Sequence, residues 1–265
     1  MKMTELIIED ERINSMGTKF TYYGGMCILV ERSDGFKILC DPYFHKNQFT
    51  EKVPADFSDV DLILVTHHAT DHYGDVVEVM QNNNKAKVMM PGDCVHIFKK
   101  EAPEIPKERI VGTIYGDCRE FGMTTVRTML AWHGSRTLYE NGFLSYGIPV
   151  GFMVQVEPGV TYYHPGDTAL HEGFKLMREL YSPNVMAVGI GNIRDGASCE
   201  QTPREAAKSV EMLGAKIVIP THYIPGSAKL AEFNRHMKSF APDAMICEAI
   251  EKTFTVVPTT VTFDE

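Results

Sequence analysis

The sequence predicts a layered α/β fold in which two sheets pack together and helices cover their outer faces. Three observations support this fold class. Short apolar runs bounded by turn residues fill the first third of the chain, strand and helix patterns alternate after residue 160, and no repeat or linker separates these parts. Such an order of elements is typical of stacked sheets with flanking helices. We therefore expect residues 1–265 to form a single domain.

The first part of the chain is predicted to be a run of strands followed by one helix. Residues 20–23, 27–31 and 36–40 are apolar segments separated by Gly24-Gly25 and by a Ser-Asp-Gly turn, which is typical of neighbouring strands. Residues 62–66 predict a buried strand, because the segment is apolar and polar residues bound it. A helix at 75–81 and a strand at 87–90 are predicted to follow.

The later part of the chain mixes strands and helices. Glu157-Pro158-Gly159 marks a turn between two antiparallel strands. Thr202, Pro203 and Glu205 form a capping box with proline at the first helical position, which predicts the start of a helix that ends at Gly214. The predicted strands are 125–132, 151–156, 160–163, 185–190 and 217–219, and the other predicted helices are 171–180 and 228–240.

Composition limits the class of partner. The chain is 44% hydrophobic and 23% charged, as ordinary globular proteins are, and its net charge is −9. Nucleic acids and anionic membranes require a basic face, so we expect neither as a partner. The expected partner is a small-molecule substrate.

The cysteines and the N-terminus predict a cytoplasmic protein. Six cysteines are scattered without a Cys-x-x-Cys pair, which favours reduced, buried thiols over a disulfide framework. The first residues lack the apolar core and small-residue cleavage site of a signal peptide. No stretch reaches the roughly 18 apolar residues of a membrane span.

The most informative motif is the sequence THHATDH at residues 66–72. It places His67, His68, Asp71 and His72 directly after a predicted buried strand. Neutral imidazole nitrogen and carboxylate oxygen suit Zn²⁺, Mn²⁺ and Fe. Three more such groups, His133, Asp167 and His222, each follow a later strand. Because groups at strand ends can converge on one edge of a sheet, the pattern predicts a metal site that binds one or two ions.

In the order and spacing of these groups the chain resembles the metallo-β-lactamase fold superfamily. Within it, the chain looks most like the branch of ascorbate-phosphate lactonases and uncharacterised metal-dependent hydrolases. The resemblance covers residues from about 22 to 240. It implies a four-layer αββα sandwich, a hydrolase activity and Zn²⁺ as the first choice of metal, with Mn²⁺ or Fe as alternatives. The implied metal ligands are His67, Asp71, His72, His133, Asp167 and His222.

Ala69 departs from the family pattern, which has a histidine at this position. In the family that histidine shares one metal with the first and the distal histidines, here His67 and His133. The other metal position keeps its full set of ligands, so we expect it to be the better formed. His68 is adjacent but points the opposite way on an extended segment; only a local turn would bring it in as a ligand. A second departure is Met26, where relatives often have histidine.

The expected chemistry is metal-assisted hydrolysis. A divalent ion lowers the pKa of bound water to about 7, which supplies hydroxide at neutral pH. Asp71 is expected to bind the metal and orient the nucleophile, and Asp167 to bridge two ions or hold one. Asp41 is expected to accept a hydrogen bond from a ligating histidine, the alternative being an ordinary turn before Pro42.

Substrate contacts are predicted from proximity in the sequence. Arg136 follows His133 closely and Arg194 lies in the loop at 191–196, so either is a candidate to bind phosphate or carboxylate; the alternative is a solvated loop arginine. Tyr223, next to His222, is a candidate donor to an oxyanion, the alternative being a half-buried aromatic. The resemblance implies a lactone or similar cyclic ester or amide as substrate. The alternatives are a phosphodiesterase acting on a small molecule and a non-catalytic metal-binding regulator. Relatives of this branch often form oligomers, so a homo-oligomer is expected.

Overall fold

The computed structural model describes residues 17–138, 142, 144–194 and 200–257, and two seven-stranded sheets dominate this part of the chain. The strands of the first sheet are β1 (Thr18–Gly24), β2 (Cys27–Glu31), β3 (Lys37–Cys40), β4 (Leu62–Leu64), β5 (Lys87–Pro91), β6 (Ile110–Thr113) and β16 (Thr253–Val256). Their spatial order is β16-β1-β2-β3-β4-β5-β6. The half from β3 to β6 is parallel, and the half from β16 to β3 is antiparallel.

The second sheet runs from an antiparallel half to a parallel one. Its strands are β7 (Cys118–Phe121), β8 (Thr124–Leu130), β11 (Val150–Glu157), β12 (Val160–His164), β13 (Val185–Gly189), β14 (Ile217–Thr221) and β15 (Met245–Ile246). Their order is β15-β14-β13-β12-β11-β8-β7. A separate antiparallel pair consists of β9 (Ser135–Leu138) and β10 (Leu144–Gly147).

Helices cover the outer faces of both sheets, which gives the expected four layers. They are α1 (Val76–Gln81), α2 (Gly92–Glu101), α3 (Gly173–Tyr181), α4 (Pro203–Leu213) and α5 (Ala228–Phe240). Helices α1 and α2 bury Val79 and Phe98 in the core that includes Ile63 of β4. Helices α3 to α5 contribute Phe174, Val210 and Phe233 to the larger core, which also fills the space between the sheets.

Strand β4 shows why its sequence is uniformly apolar. Leu62 and Leu64 belong to the core between the sheets, whereas Ile63 belongs to the core beneath α1 and α2. Successive side chains of a strand point to opposite faces, and both faces of β4 are buried. The strand ends at Leu64, two residues earlier than predicted, because the amide of Thr66 donates instead to Asp41 Oδ1 at 2.8 Å.

Helix α4 has the predicted caps. The Thr202 hydroxyl accepts from the amide of Glu205, and the Glu205 carboxylate accepts from the amide of Thr202 at 2.8 Å. Gly214 ends the helix with φ of 76°, a left-handed conformation that glycine adopts without steric cost. The cap matters for the site because it holds Thr202, two residues after Glu200, at the start of the helix.

The predicted strands and helices all occur, with ends that shift by a few residues. The structure adds α2, β6, β7, β9, β10, β15 and β16, none of which was predicted from the sequence. The five cysteines within the described residues are free thiols, and Cys27, Cys40 and Cys94 among them are buried. Cys118 is exposed, contrary to the expectation of burial, and Cys199 lies outside the described residues. No helix in the described ranges has both the length and the apolar character needed to cross a membrane.

Candidate metal centre

The candidate ligands follow the carboxyl ends of strands from both sheets. Asp41 follows β3, the THHATDH segment follows β4, His133 follows β8, Asp167 follows β12, and His222 follows β14. Strands β3 and β4 are parallel neighbours, so their carboxyl ends lie at the same edge. The fold therefore brings together side chains that are up to 181 residues apart in sequence, from Asp41 to His222.

A tight turn compacts the THHATDH segment. The carbonyl of Ala69 accepts from the amides of His72 and Tyr73, at 3.1 and 2.8 Å. This turn brings His67 and His72 side by side, with ring centroids 4.2 Å apart. Position 69 therefore contributes to the site through its backbone, which shapes the turn that positions the two imidazoles.

Asp167 lies at the centre of the histidines. Its Oδ2 is 3.3 Å from His72 Nε2 and 3.8 Å from His133 Nε2, and its Oδ1 is 3.4 Å from His222 Nδ1. Asp71 approaches from the other side, with Oδ2 at 3.8 Å from His222 Nε2. Two donor atoms that bind one Zn²⁺ at about 2.0–2.2 Å lie some 3–4 Å apart, so these separations suit a shared cation.

Three groups of side chains have the geometry to bind a cation. They are His67, His72 and Asp167; Asp71, His72 and His222; and His133, Asp167 and Glu200. Within each group, one ligand atom per residue lies within 4.8 Å of the others. Asp167 and His72 each belong to two groups, so the groups are adjacent parts of one centre.

The buried nitrogens of this centre have no hydrogen-bond partner among the described residues. These atoms are His67 Nε2, His72 Nε2, and both Nδ1 and Nε2 of His222. A buried polar atom without a partner costs about 1–3 kcal/mol. Nitrogen lone pairs that face carboxylates across 3–4 Å are satisfied together when a cation binds between them. The residues present therefore fit a transition-metal ion.

Asp41 accepts hydrogen bonds that hold two histidines and a threonine of the centre in place. Its Oδ2 accepts hydrogen bonds from His72 Nδ1 and His164 Nε2, both at 2.9 Å, and from the Thr66 hydroxyl at 2.9 Å. All of these side chains are fully buried. Because Nδ1 of His72 donates to Asp41, its Nε2 is left for a metal, an arrangement that fixes tautomer and ring orientation. The contact predicted for Asp41 is present in the structure.

The carboxylate of Asp41 and the imidazole of His72 shift each other's pKa toward the charged forms. Burial alone would raise the pKa of Asp41, but the charges of His72 and His164 and their hydrogen bonds outweigh it and lower that pKa. Burial would likewise lower the pKa of His72, yet the carboxylates of Asp167 and Asp41 raise it well above its usual value. His72 is thus held between two anions, and a bound metal would take the place of its proton.

The pKa values of His67 and His133 are lowered, in contrast to that of His72. Burial and the nearby charge of His72 lower the pKa of His67, and burial lowers the pKa of His133. Their rings stay neutral at pH 7, which leaves lone pairs available for a metal. Burial and the charge of Asp167 raise the pKa of Glu200.

Two residues of the centre were not predicted from the sequence. His164 joins Asp41 to the hydroxyl of Tyr162, which lies 2.7 Å from His164 Nδ1. Its only signal was its place at the end of β12. Glu200 lies 3.7 Å from His133 Nδ1 through Oε1. A single glutamate before a helix carries no sequence signal, since only the tertiary fold brings it to His133.

An open cleft of about 1010 Å³ leads to the centre. Four of the candidate ligands line the cleft, as does Ala69; these ligands are His67, Asp71, His133 and Asp167. The cleft carries three cationic side chains, Lys46, Arg136 and Arg194, and three aromatic ones, Tyr43, Phe49 and Tyr146. Arg136 and Arg194, the predicted substrate contacts, therefore both line the cleft.

Tyr223 and His68 are placed differently from the other candidates. Tyr223 is buried, its hydroxyl donates to the carbonyl of Glu248, and its ring packs on Tyr22 with centroids 6.3 Å apart. This contact does not suit the predicted role as an oxyanion donor and matches the alternative of a packed aromatic. His68 lines the cleft, but its ring contacts Tyr73 at 4.8 Å and is outside the three ligand groups found among the described residues. Its ligation stays a prediction.

Known proteins resemble this chain over most of its length. The beta-lactamase superfamily domain matches residues 37–223, which places the chain in the metallo-β-lactamase superfamily. A UPF0173 metal-dependent hydrolase from Methanopyrus kandleri is 32% identical over 231 residues, which cover 86% of this chain and 95% of that protein. A second, from Geobacillus thermodenitrificans, is 35% identical over 206 residues and covers 77% of this chain and 85% of the relative. The chain belongs to the UPF0173 metal-dependent hydrolase family.

A solved structure gives independent support for the fold. A metallo hydrolase from Ignicoccus hospitalis superposes with a TM-score of 0.72 at 24% identity, and the match covers 90% of this chain and 97% of that one. This match confirms the predicted two-sheet fold. The family model and the curated relatives confirm the predicted superfamily and the prediction of a metal-dependent hydrolase.

Proposed function

We propose that this enzyme hydrolyses a lactone, or a similar cyclic ester or amide, in a small molecule that also carries an anionic group. The observation that carries the proposal is the group Asp71, His72, Asp167 and His222, of which Asp71 and Asp167 line a cleft that also has three cationic side chains. Attack on a carbonyl requires one polarised oxygen and one activated water, which this group suffices to provide. The cyclic ester or amide as the substrate rests on the resemblance to the lactonase branch.

Bound by Asp71, His72, Asp167 and His222, a metal ion would supply Lewis acidity, which would polarise the carbonyl and lower the pKa of water. Imidazole nitrogens and carboxylates together suit Zn²⁺ first, with Mn²⁺ or Fe as alternatives. Asp71 lines the cleft, and its side chain is 19% exposed. We assign to Asp71 the orientation of the attacking water and to Asp167 the central position between the histidines.

The cationic lining supports an anionic substrate group. Lys46, Arg136 and Arg194 line the cleft that contains Asp71 and His133. The net charge of the chain is −9, so a cluster of cations within one cleft is a local feature. Arginine binds carboxylate and phosphate with paired hydrogen bonds. The aromatic residues that line the same cleft are suited to packing against an apolar part of the substrate.

The free thiols of the described cysteines support a cytoplasmic location for the enzyme.

Hydrolysis of a small phosphodiester is the second candidate. The three cations favour it, as does the position of Asp167 between two ligand groups, because phosphoryl transfer uses two ions about 3.5–4 Å apart. It depends on occupation of both metal positions, whereas attack on a cyclic ester depends on one. The number of ions needed for turnover therefore separates the two candidates.

The test is a substrate screen on protein reconstituted with Zn²⁺ and, separately, with Mn²⁺. Lactones with and without a carboxylate are compared with small phosphodiesters. We expect turnover of the anionic lactones, saturating at the first equivalent of metal. The Asp71→Ala variant should abolish it, while Asp59→Ala, a change of a surface carboxylate, should leave it intact. Turnover confined to phosphodiesters would replace this proposal by the second candidate.

A further inference from the structure

Ala69 stands where the family pattern has a ligand for the metal position that contains His133, and the structure brings the carboxylate of Glu200 close to His133. We propose that Glu200 supplies the missing ligand, so that His133, Asp167 and Glu200 together bind a second cation. The inference rests on the metal centre of the proposed function but not on the bond that is hydrolysed.

Glu200, Asp167 and His133 lie close enough together to share a cation. Glu200 Oε1 lies 3.7 Å from His133 Nδ1 and Asp167 Oδ2 lies 3.8 Å from His133 Nε2, and only one of these two ring nitrogens can bind that cation. One ligand atom from each of the three residues lies within 4.8 Å of the other two. The ring of His67 is adjacent, with its centroid 5.0 Å from that of His133. A cation at this point would have three protein ligands, the number that leaves the fourth position of a zinc ion open.

The surroundings of Glu200 favour a cation over a simple hydrogen bond. The 3.7 Å separation from His133 Nδ1 is too long for a hydrogen bond. The side chain is only 18% exposed and faces Asp167, which is 10% exposed. Two carboxylates held this close in a partly desolvated site repel each other. A divalent cation between them removes that repulsion, and His133 provides the neutral third ligand.

The residues that directly follow position 200 are anchored by hydrogen bonds, which restrict where Glu200 can lie. The Gln201 side chain donates to the carbonyl of Thr168 at 2.9 Å, and Ser209 donates to Gln201 Oε1 at 2.5 Å. Thr202 then caps α4. Residue 200 is therefore tied to the residue that follows Asp167. Glutamate also has one methylene more than aspartate, which extends its reach from this anchored backbone.

The experiment measures bound metal and requires no substrate. Zn²⁺ per chain is determined by elemental mass spectrometry after dialysis, and affinity by competition with a chromophoric chelator. The variants are Glu200→Ala, Glu200→Gln and the double variant Ala69→His with Glu200→Ala. The control is Glu211→Ala, which removes an exposed carboxylate from α4 that is ion-paired with Lys208. Thermal unfolding of each variant verifies that it is folded.

We expect two ions in the unaltered protein and in the control, and one ion in both Glu200 variants. The affinity of the weaker position should fall by a factor of 100 or more. The double variant should bind two ions again, because an imidazole at position 69 replaces the carboxylate. This rescue distinguishes a lost ligand from a disturbed fold.

Two results would overturn the inference. One is an unchanged stoichiometry and affinity in Glu200→Ala, whether the unaltered protein binds one ion or two. The other is retention of both ions in Glu200→Gln but not in Glu200→Ala, because an amide oxygen still orients His133 but is a poor substitute for an anionic ligand. Failure of the lactone screen would leave these metal measurements unaffected, so the two proposals fail separately.

Discussion

Asp41 Oδ2 lies 2.9 Å from His72 Nδ1, with both side chains fully excluded from solvent. The backbone of Asp41 has a φ of 45°, an uncommon conformation for a residue with a side chain. The left-handed turn directs the carboxylate back to Thr66, His72 and His164. The strained backbone of Asp41 thus goes with a hydrogen bond that orients the imidazole of His72, a candidate metal ligand.

Asp41→Asn should weaken Zn²⁺ binding by about 10- to 100-fold, the usual cost of losing such a hydrogen-bonding partner. The neutral amide no longer stabilises both imidazoles that donate to Asp41. Chelator competition measures the change. Asp59→Asn, which alters an exposed carboxylate paired with Lys37, is the control and should have no effect. An affinity within a factor of two of the unaltered protein would contradict this role for Asp41.

Gly166→Ala should destabilise the fold because a Cβ atom at this position would lie 2.7 Å from Thr66 Cβ. Gly166 also has a φ of 59°, which glycine tolerates best. Gly122→Ala is a matched control, since its φ is 63° and a Cβ there meets no heavy atom within 4 Å. Both variants carry the backbone strain, but only Gly166→Ala adds the clash, which costs about 1–3 kcal/mol.

Chemical denaturation of the two glycine variants gives the comparison directly. Gly166→Ala should have the lower free energy of unfolding and should also lose metal affinity, because Thr66 contacts His67 and His72 through its hydroxyl. Equal stabilities would show that the Thr66 side chain moves away without cost.

The sequence predicted those strands whose two faces are buried. Leu62–Leu64 is apolar throughout because each face of β4 packs in a core. Strands β6 and β7 were not predicted, because most of their residues are exposed or half-buried and their sequences show neither an apolar run nor an alternating pattern. Strand β16 depends on pairing with β1, more than 230 residues away, through contacts such as Thr18 with Val256.

The sequence predicted those candidate ligands that lie close together in the chain or directly follow apolar strands. His67, Asp71 and His72 lie within six residues, and His133, Asp167 and His222 each follow a recognisable strand. Glu200 was not predictable, because its approach to His133 depends on the anchoring of Gln201 and on the packing of α4. His164 was passed over because its partner, Asp41, lies 123 residues earlier.

Arg136→Leu and Arg194→Leu should each weaken binding of an anionic substrate while leaving a neutral analogue unaffected. Both side chains line the cleft, and a hydrogen bond to a charged group contributes about 1.5–3 kcal/mol, which corresponds to roughly a 10- to 100-fold rise in KM. Steady-state kinetics on a paired carboxylate and ester substrate measures the difference. Arg119→Leu, which removes an exposed cation paired with Asp117, is the control. A loss shared equally by both substrates would exclude a charge-recognition role.

Chelation of the metal should lower the thermal stability of the protein, and Zn²⁺ should restore it in proportion to its concentration. The physical reason is that four buried imidazole nitrogens of His67, His72 and His222 lack partners among the described residues, so the metal binds the folded chain in preference to the unfolded one. A ligand at a thousand times its Kd stabilises the fold by about 4 kcal/mol. For a chain of this size that corresponds to a rise in Tm of roughly 8–16 °C.

The rise in Tm on metal binding should be lost when a candidate ligand is substituted and kept when another histidine is substituted. His222→Gln should lose most of it, whereas His236→Gln, a change of a surface histidine paired with Glu232, should keep it. Differential scanning calorimetry at fixed free Zn²⁺ measures both. If His222→Gln retained the full shift, the stabilising ion would be bound elsewhere on the chain. Loss of the shift in His222→Gln alone would instead place the ion at the end of β14, where the left-handed backbone of His222 directs its ring toward Asp71 and Asp167.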